Sequence, residues 1–220
     1  MPRIQPAALL FDMDGVLLDS RPVVERTWRR WADRHGVPAE PILRVAHGRR
    51  TLDTLRAAAP ALATREEVAW LDAAELADFD GILPIAGAAA LLAVLPPTRW
   101  TVVTSAGREL AARRLGVVGL ALPDHAVTSE DVVRGKPAPD GYLLGAARLG
   151  VSPSDCLVVE DAPAGLQAGR AARALVLALA TTHPTEALGD ADFIVPDLRS
   201  VQVTARSSTL NVVINDPATT

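Results

Sequence analysis

The sequence predicts an α/β fold, a Rossmann-like doubly wound parallel sheet that carries an inserted all-helical segment. Short apolar runs alternate with helical patterns along most of the chain, which is typical of a parallel sheet with helices on both faces. The first apolar run, residues 7–11, leads directly into the acidic motif Asp12-Met13-Asp14-Gly15. One segment, from about Pro22 to about Phe79, has helical patterns and no strand pattern.

The predicted strands of the sheet are residues 9–11, 100–103, 125–128, 157–159, 174–179 and 193–195. The predicted helices between them are residues 86–95, 108–115, 141–149 and 164–172. A last apolar run, residues 210–214, predicts an edge strand, and we expect the polar tail after it to be disordered.

The strand-free segment predicts a second, smaller domain. Pro22 suits the first turn of a helix, and bulky side chains then follow at helical spacing: Val24, Trp28, Trp31 and His35. Thr64 and Glu67 form a T-x-x-E pattern that predicts a capping box. We therefore expect a catalytic core of residues 1–19 and 82–220 and a helical cap domain of residues 20–81, here called the helical insert. Residues 15–20 and 80–84 would connect the two.

Composition narrows the class of protein. The chain has 220 residues, of which 49% are hydrophobic and 22% charged, and its net charge of −4 argues against nucleic acid binding. No stretch approaches the roughly 20 apolar residues of a membrane span, and the N-terminus leaves no room for a signal peptide. The single cysteine, Cys156, lies in an apolar run and rules out an internal disulfide. We therefore expect a cytoplasmic protein without nucleic acid or membrane partners, working as a monomer or weak dimer.

The acidic motif is the first candidate for chemistry. Asp12 and Asp14 stand at the predicted end of a buried strand, where ligand sites of open α/β sheets gather. One carboxylate there can attack an electrophile while the other moves protons or binds a metal. A surface strand followed by an acidic turn is the alternative interpretation. A calcium loop is not, because its spacing needs further acidic or amide residues that are missing here.

Two further polar groups are candidates for binding an anionic substrate. Thr104 and Ser105, at the start of a helix, can form an anion cradle, although capping of that helix is an ordinary alternative. Lys136, the only lysine in the chain, follows Gly135 and lacks the other residues of a nucleotide P-loop. Its charge suits a phosphate or a carboxylate nucleophile.

Glu160 and Asp161 end another apolar run. Adjacent carboxylates at a buried strand end are costly unless a cation compensates for them. Together with Asp12 and Asp14 they form an all-oxygen set, which suits Mg²⁺.

The order of these motifs resembles the haloacid dehalogenase superfamily, and the insert after the first motif resembles its type-one helical cap. Longer strings are similar to the 2-deoxyglucose-6-phosphatase and glycerol-phosphatase group of that superfamily, including residues 100–111, 135–143 and 159–169 and the string His47-Gly48-Arg49. The resemblance covers essentially the whole chain.

The resemblance implies a Mg²⁺-dependent phosphatase acting on a small phosphorylated metabolite, a sugar or polyol phosphate. Asp12 would form an aspartyl-phosphate, and Asp14 would be the general acid and base. The other implied roles are metal binding by Asp12, Asp14, Asp161 and Glu160, phosphate binding by Thr104, Ser105, Ala106 and Lys136, and leaving-group recognition by His47 and Arg49. Arg50 would join the last group, unless it belongs to a solvated basic loop.

Two alternatives from other classes stay open. A β-phosphoglucomutase-like mutase shares the motifs and the cap type, but such mutases have a histidine where this chain has Val24. A catalytically inactive binding protein on the same fold is the second alternative, and the intact motifs argue against it. Dehalogenases of the superfamily lack the second Asp, and phosphonatases use a cap lysine, which this chain does not have.

Overall fold

The computed structural model describes residues 1–206 and 209–215. Its strands, in chain order, are β1 (Arg3–Ile4), β2 (Ala8–Phe11), β3 (Leu18–Asp19), β4 (Leu83–Pro84), β5 (Trp100–Val102), β6 (Cys156–Glu160), β7 (Leu175–Leu179), β8 (Phe193–Val195), β9 (Val201–Ala205) and β10 (Leu210–Ile214). Its α-helices are α1 (Arg21–His35), α2 (Glu40–Ala46), α3 (Thr51–Ala58), α4 (Arg65–Leu76), α5 (Ala88–Ala93), α6 (Arg108–Val117), α7 (Asp140–Arg148) and α8 (Pro163–Ala171).

The central sheet has five parallel strands in the order β5-β2-β6-β7-β8. The chain leaves β2 toward β5 on one side and later returns to β6 on the other side. The strand order therefore reverses at β2, and the carboxyl end beside such a reversal is where ligand sites form in open α/β sheets. The predicted doubly wound α/β fold is confirmed.

Both faces of this sheet are buried, because alternate side chains of a strand point to opposite faces. Leu9 and Phe11 of β2 belong to a core cluster with residues of α5 and α6. Ala8 and Leu10 belong to a second cluster, with residues of α7 and α8. Cys156 is buried in that second cluster, as its apolar surroundings in the sequence predict. Strands buried on both faces explain why the sequence shows continuous apolar runs rather than alternation.

Two strand predictions are wrong. Residues 125–128 form no regular strand, because only the single bridge between Val103 and Val127 joins them to the sheet before a 3-10 turn begins at Ser129. Strand β10 is not an edge strand, since it lies between β1 and β9 in a separate antiparallel sheet. The alternation of buried residues in β10 reflects a sheet covered on one face only. Of the predicted disordered tail, residues 216–220 lie outside the described residues.

The helical insert packs around a cluster of its own, which includes Trp28, Trp31 and Leu55. Helix α1 ends at His35 and is followed by Gly36, whose left-handed backbone conformation, φ 63°, suits glycine. The predicted capping box at the start of α4 is only half formed. The hydroxyl of Thr64 accepts the amide of Glu67 at 3.3 Å, but the Glu67 carboxylate accepts the indole N–H of Trp31 at 2.7 Å instead of returning to Thr64.

The two connections to the insert lie side by side. Strands β3 and β4 pair antiparallel, with Leu18 opposite Pro84 and Asp19 opposite Leu83. The division into a core and a cap domain at residues 20 and 81 stays a prediction. Among the described residues, no helix is both long and apolar enough to cross a membrane.

Candidate active site

Asp12 lies at the carboxyl end of β2, between the ends of the two flanking strands. Its amide donates to the Val159 carbonyl at 2.9 Å, which continues the sheet one residue beyond β2. Its side chain is buried, and Lys136 Nζ lies 2.7 Å from Asp12 Oδ1 and 2.7 Å from Glu160 Oε1. The sole lysine therefore neutralises part of a buried group of carboxylates.

Glu160 is held by contacts other than the lysine. The Tyr142 hydroxyl donates to its Oε1 at 2.6 Å, and the Asp161 amide donates to its Oε2 at 3.0 Å. Gly165 of α8 faces this carboxylate so closely that an added Cβ would overlap it. Both oxygens thus have protein partners, and Glu160 supports the position of Lys136.

Asp161 differs, because one of its oxygens is free for a cation. Its Oδ2 accepts a hydrogen bond from the Thr182 hydroxyl. Its Oδ1 is buried and has no hydrogen-bond partner in the part of the chain that the structure describes. Asp12, Glu160 and Asp161 can each offer an oxygen within 4.8 Å of the others. An unpartnered buried carboxylate oxygen in an all-oxygen set fits a hard divalent cation such as Mg²⁺.

Burial and mutual repulsion raise the pKa values of the carboxylates in this site when no cation is bound. Burial raises the pKa of Asp12 to about 7, even though Lys136 opposes the rise. Burial and the neighbouring Glu160 and Asp12 raise the pKa of Asp161 well above its ordinary value. These carboxylates need more positive charge than Lys136 supplies in order to stay ionised together.

Asp14 stands in a different environment, at the rim of the site. Its side chain is 27% exposed, and its Oδ1 accepts hydrogen bonds from the Ser20 hydroxyl at 2.5 Å and from Arg114 Nη1 at 3.1 Å. Arg114 is itself buried, and its Nη2 donates to Glu75 Oε2 of the helical insert at 3.2 Å. Burial raises the pKa of Glu75, and Arg114 opposes this rise.

Thr104 and Ser105, which follow β5, do not cap helix α6. Helix α6 begins at Arg108, after Gly107, and Thr104 Oγ1 accepts the Ala106 amide at 3.1 Å. The Ser105 hydroxyl donates to the Gly48 carbonyl of the insert at 3.0 Å. The Thr104 side chain therefore binds within its own loop, while that of Ser105 joins the core to the insert.

A cavity of about 430 Å³ lies between core and insert. Most of the predicted site residues line it: Asp12, Asp14, Thr104, Ser105, Ala106, Asp161, His47 and Arg49. Lys136 and Glu160 are absent from this lining and lie buried behind Asp12. The structure thus brings the residues of all four sequence motifs together at the carboxyl edge of the parallel sheet.

Arg50 is not part of a solvated basic loop. Its Nε donates to Asp53 at 2.7 Å, and its Nη1 donates to the Val132 and Val133 carbonyls at 3.3 and 3.1 Å. These contacts connect the insert to the loop that precedes Lys136.

Sequence reasoning missed several residues of the site. Arg114 and Glu75 are charged residues of helices, whereas the sequence argument considered strand ends. Arg114 could have been found from its spacing, because it shares a helix face with Leu110, Ala111 and Leu115. Thr182 and His183, in the loop after β7, had no comparable signal. The His183 ring lies edge-on to that of His47, 6.1 Å between centroids, and burial lowers the pKa of His183.

A doubly wound α/β core with its acidic site under a helical insert defines a class of hydrolases rather than one enzyme. A family model described as haloacid dehalogenase-like hydrolase matches residues 6–173. The chain belongs to that family.

Several similar proteins are named as phosphatases, and one similar solved structure, from Bacteroides vulgatus, is named as a putative β-phosphoglucomutase (31% identity, TM-score 0.72, covering 87% of this chain and 84% of that one). The chain is 42% identical over 200 residues to hexitol phosphatase A of Escherichia coli K12, covering 89% of this chain and 93% of that protein. It is 35% identical over 210 residues to glycerol-1-phosphate phosphohydrolase 2 of Saccharomyces cerevisiae, covering 89% and 84%. A crystal structure of a hydrolase from Pseudomonas syringae matches with a TM-score of 0.78 and 25% identity, covering 87% and 94%. The predicted enzyme class, a phosphoric monoester hydrolase, is confirmed.

Proposed function

We propose that this chain is a Mg²⁺-dependent phosphatase that hydrolyses a sugar or polyol phosphate through an aspartyl-phosphate on Asp12. The observation that carries the proposal is the buried ion pair of Asp12 and Lys136 beside the unpartnered Asp161 oxygen. That arrangement supplies a nucleophile and one positive charge, together with a ligand for a second positive charge. The similarity to hexitol and glycerol phosphatases supports the substrate class.

Asp12 is the nucleophile of the proposed reaction. One of its oxygens attacks phosphorus while the bond from phosphorus to the leaving oxygen breaks, and the phosphoryl group stays on Asp12. Attack by a carboxylate on an anionic ester requires neighbouring positive charge. Lys136, 2.7 Å from Asp12 Oδ1, supplies part of it, and Thr104 and the Ser105 amide bind the phosphoryl oxygens.

Asp14 moves the protons. It gives a proton to the leaving oxygen as an alcohol departs, and it later takes a proton from the water that attacks the aspartyl-phosphate. That second step releases inorganic phosphate and restores the Asp12 carboxylate. Its greater exposure suits a group that must exchange protons with substrate and water.

Asp12, the Asp14 carbonyl and Asp161 would hold Mg²⁺. When bound, the cation supplies positive charge that offsets the repulsion between the carboxylates and the phosphate. Glu160 contributes indirectly, since its two oxygens bind Lys136, Tyr142 and the Asp161 amide.

The helical insert provides the wall that faces the leaving group. Thr54 Oγ1 is buried, lines the cavity and has no partner among the described residues, and His47 Nε2 is in the same situation. Unpartnered polar atoms in a cavity wall are costly unless a ligand binds them. They suit the hydroxyl groups of a polyol, and Arg49 adds a charged donor to the same wall.

Arg49→Ala tests this role. We expect kcat/KM for the preferred sugar or polyol phosphate to fall by roughly tenfold or more, because a charge-assisted hydrogen bond is lost. A small aryl phosphate, which makes few contacts with the insert, should lose less than about threefold. Arg44→Ala on the exposed side of α2 is the matched control. Equal losses on both substrates would assign Arg49 to folding or to general phosphate binding.

The activity itself is tested with the purified protein, Mg²⁺ and a panel of hexitol phosphates, glycerol 1-phosphate and 2-deoxyglucose 6-phosphate. Release of inorganic phosphate from at least one of them is the expected result. A mutase would instead return an isomeric phosphosugar, but Val24 offers no proton-transfer group where such mutases have histidine. An inactive binding protein would release no phosphate from any substrate, an aryl phosphate included.

A further inference from the structure

Arg114 is a buried cation that the proposed mechanism does not yet use. Its side chain is 3% exposed, although it lies on a helix whose next residue toward the N-terminus, Arg113, is 55% exposed. Among the residues that the structure describes, Arg113 pairs only with Glu109 on the same helix, at 3.2 Å. A fully buried arginine is rare unless its charge is paired, so the partners of Arg114 indicate what it is for.

Those partners belong to two different parts of the molecule. Arg114 Nη1 binds Asp14, which follows β2 in the core, and Arg114 Nη2 binds Glu75, near the end of α4 in the helical insert. Glu75 is largely buried as well, with its side chain 13% exposed. The guanidinium therefore joins the proton-transfer residue to the insert, across the edge of the cavity.

The hydrogen bonds to Asp14 are unevenly divided between its oxygens. Ser20 and Arg114 both donate to Oδ1. No hydrogen bond to Oδ2 occurs within the residues that the structure describes. Two donors on one oxygen fix the rotation of the carboxyl group and leave the second oxygen available to the substrate.

We propose that Arg114 is a positioning residue for Asp14 and that Glu75 holds Arg114 in place. Asp14 then reaches the leaving oxygen in the correct orientation when α4 is seated over the cavity. This inference rests on the proposed function, since it concerns one of its steps. The phosphorus–oxygen bond breaks, its electron pair stays on the leaving oxygen, and that oxygen takes the proton from Asp14 Oδ2. The donors on Oδ1 stabilise the negative charge that remains on Asp14.

The experiment compares Arg114→Lys and Glu75→Gln with the wild type on two substrates. Glycerol 1-phosphate or the best alkyl phosphate of the panel has a leaving group that needs a proton. In 2,4-dinitrophenyl phosphate the leaving group departs without one. The value to compare is kcat/KM, because it covers the steps through formation of the aspartyl-phosphate and excludes its later hydrolysis. Arg113→Lys is the matched control on the same helix.

We expect both variants to lose roughly tenfold or more on the alkyl phosphate, a part of the 10²–10⁴-fold that a general acid contributes. Losses on the dinitrophenyl ester should stay below about threefold. In an Asp14→Asn background the selective loss should vanish, because residues that act through one another are not additive. Glu75→Gln keeps the shape of the side chain and serves if Arg114→Lys fails to fold.

Two results would overturn the inference in distinguishable ways. Equal losses on both substrates, or a loss that persists fully in the Asp14→Asn background, would make Arg114 and Glu75 structural residues only, with the phosphatase proposal intact. A wild-type protein that hydrolyses no alkyl phosphate would overturn the proposed function, and this inference with it.

Discussion

Asp12→Asn is expected to lower kcat by at least about three orders of magnitude, which is the scale of effect when a covalent nucleophile is removed. The amide has nearly the size of the carboxylate but carries no charge with which to attack phosphorus. Folding should survive, because Lys136 keeps Glu160 as a partner at 2.7 Å and burial already disfavours the ionised form of Asp12. Phosphate release under saturating substrate measures kcat, and thermal unfolding measures whether the variant is folded.

Asp155→Asn is the matched control for that variant. Asp155 precedes β6 at the opposite, amino-terminal end of the strand and is exposed, so its substitution should leave kcat unchanged. A well-folded Asp12→Asn protein with near-normal turnover would end the aspartyl-phosphate hypothesis.

Removal of divalent cations is expected to abolish activity, and added Mg²⁺ is expected to restore it. The buried carboxylates exceed the charge of Lys136, and the free oxygen of Asp161 needs a cation as its partner. Ca²⁺ should not substitute, because its larger and less regular coordination would misplace Asp12 relative to phosphorus. Hydrolysis is measured after chelation and again after titration with each cation.

Asp161→Asn sharpens the metal experiment. It should raise the Mg²⁺ concentration needed for half-maximal activity, because the amide oxygen is a weaker ligand than a carboxylate. Undiminished hydrolysis in excess chelator would count against the metal site altogether.

The sequence was most informative for candidate catalytic and metal-binding residues that lie at the ends of parallel strands. Asp12 and Asp161 are separated by 148 intervening residues, yet each lies just beyond the carboxyl end of a buried strand. Strands β2 and β6 are neighbours in one parallel sheet, so their ends must meet. Local apolar runs and the rule that ligand sites gather at the carboxyl ends of parallel strands were therefore enough to predict this part of the candidate site.

The contacts of helix side chains were not accessible in the same way. The spacing of Arg114 places it on the buried face of α6, but its partners depend on how α6 and α4 pack, and no local pattern determines the relation between two helices so distant in sequence. The same limit explains the capping box, where the Glu67 side chain binds Trp31 rather than the backbone of Thr64. The tertiary partner Trp31 thus took the place of the local backbone partner.

The strand predictions at the edges of the fold were wrong for a related reason. Residues 125–128 have the composition of a strand but meet the sheet at one bridge only, since pairing depends on register with a neighbour. The small sheet of β1, β9 and β10 joins the two ends of the described chain, and such pairing leaves no signature in either segment alone.

The paired strands β3 and β4 have a consequence for how such enzymes diversify. The chain enters the helical insert through β3 and leaves it through β4, and these two strands are hydrogen-bonded to each other. The insert is therefore a long loop whose two ends are already held together. The entropy of closing a loop grows only slowly with its length. Helices can therefore be exchanged or lengthened between Asp19 and Leu83 at a small cost in loop-closure entropy, provided that the contact of Glu75 with Arg114 is kept. Under the role proposed for the insert, transplanting it would change the selectivity of the scaffold, and a chimaera joined at these two strands is the natural form of that transplant.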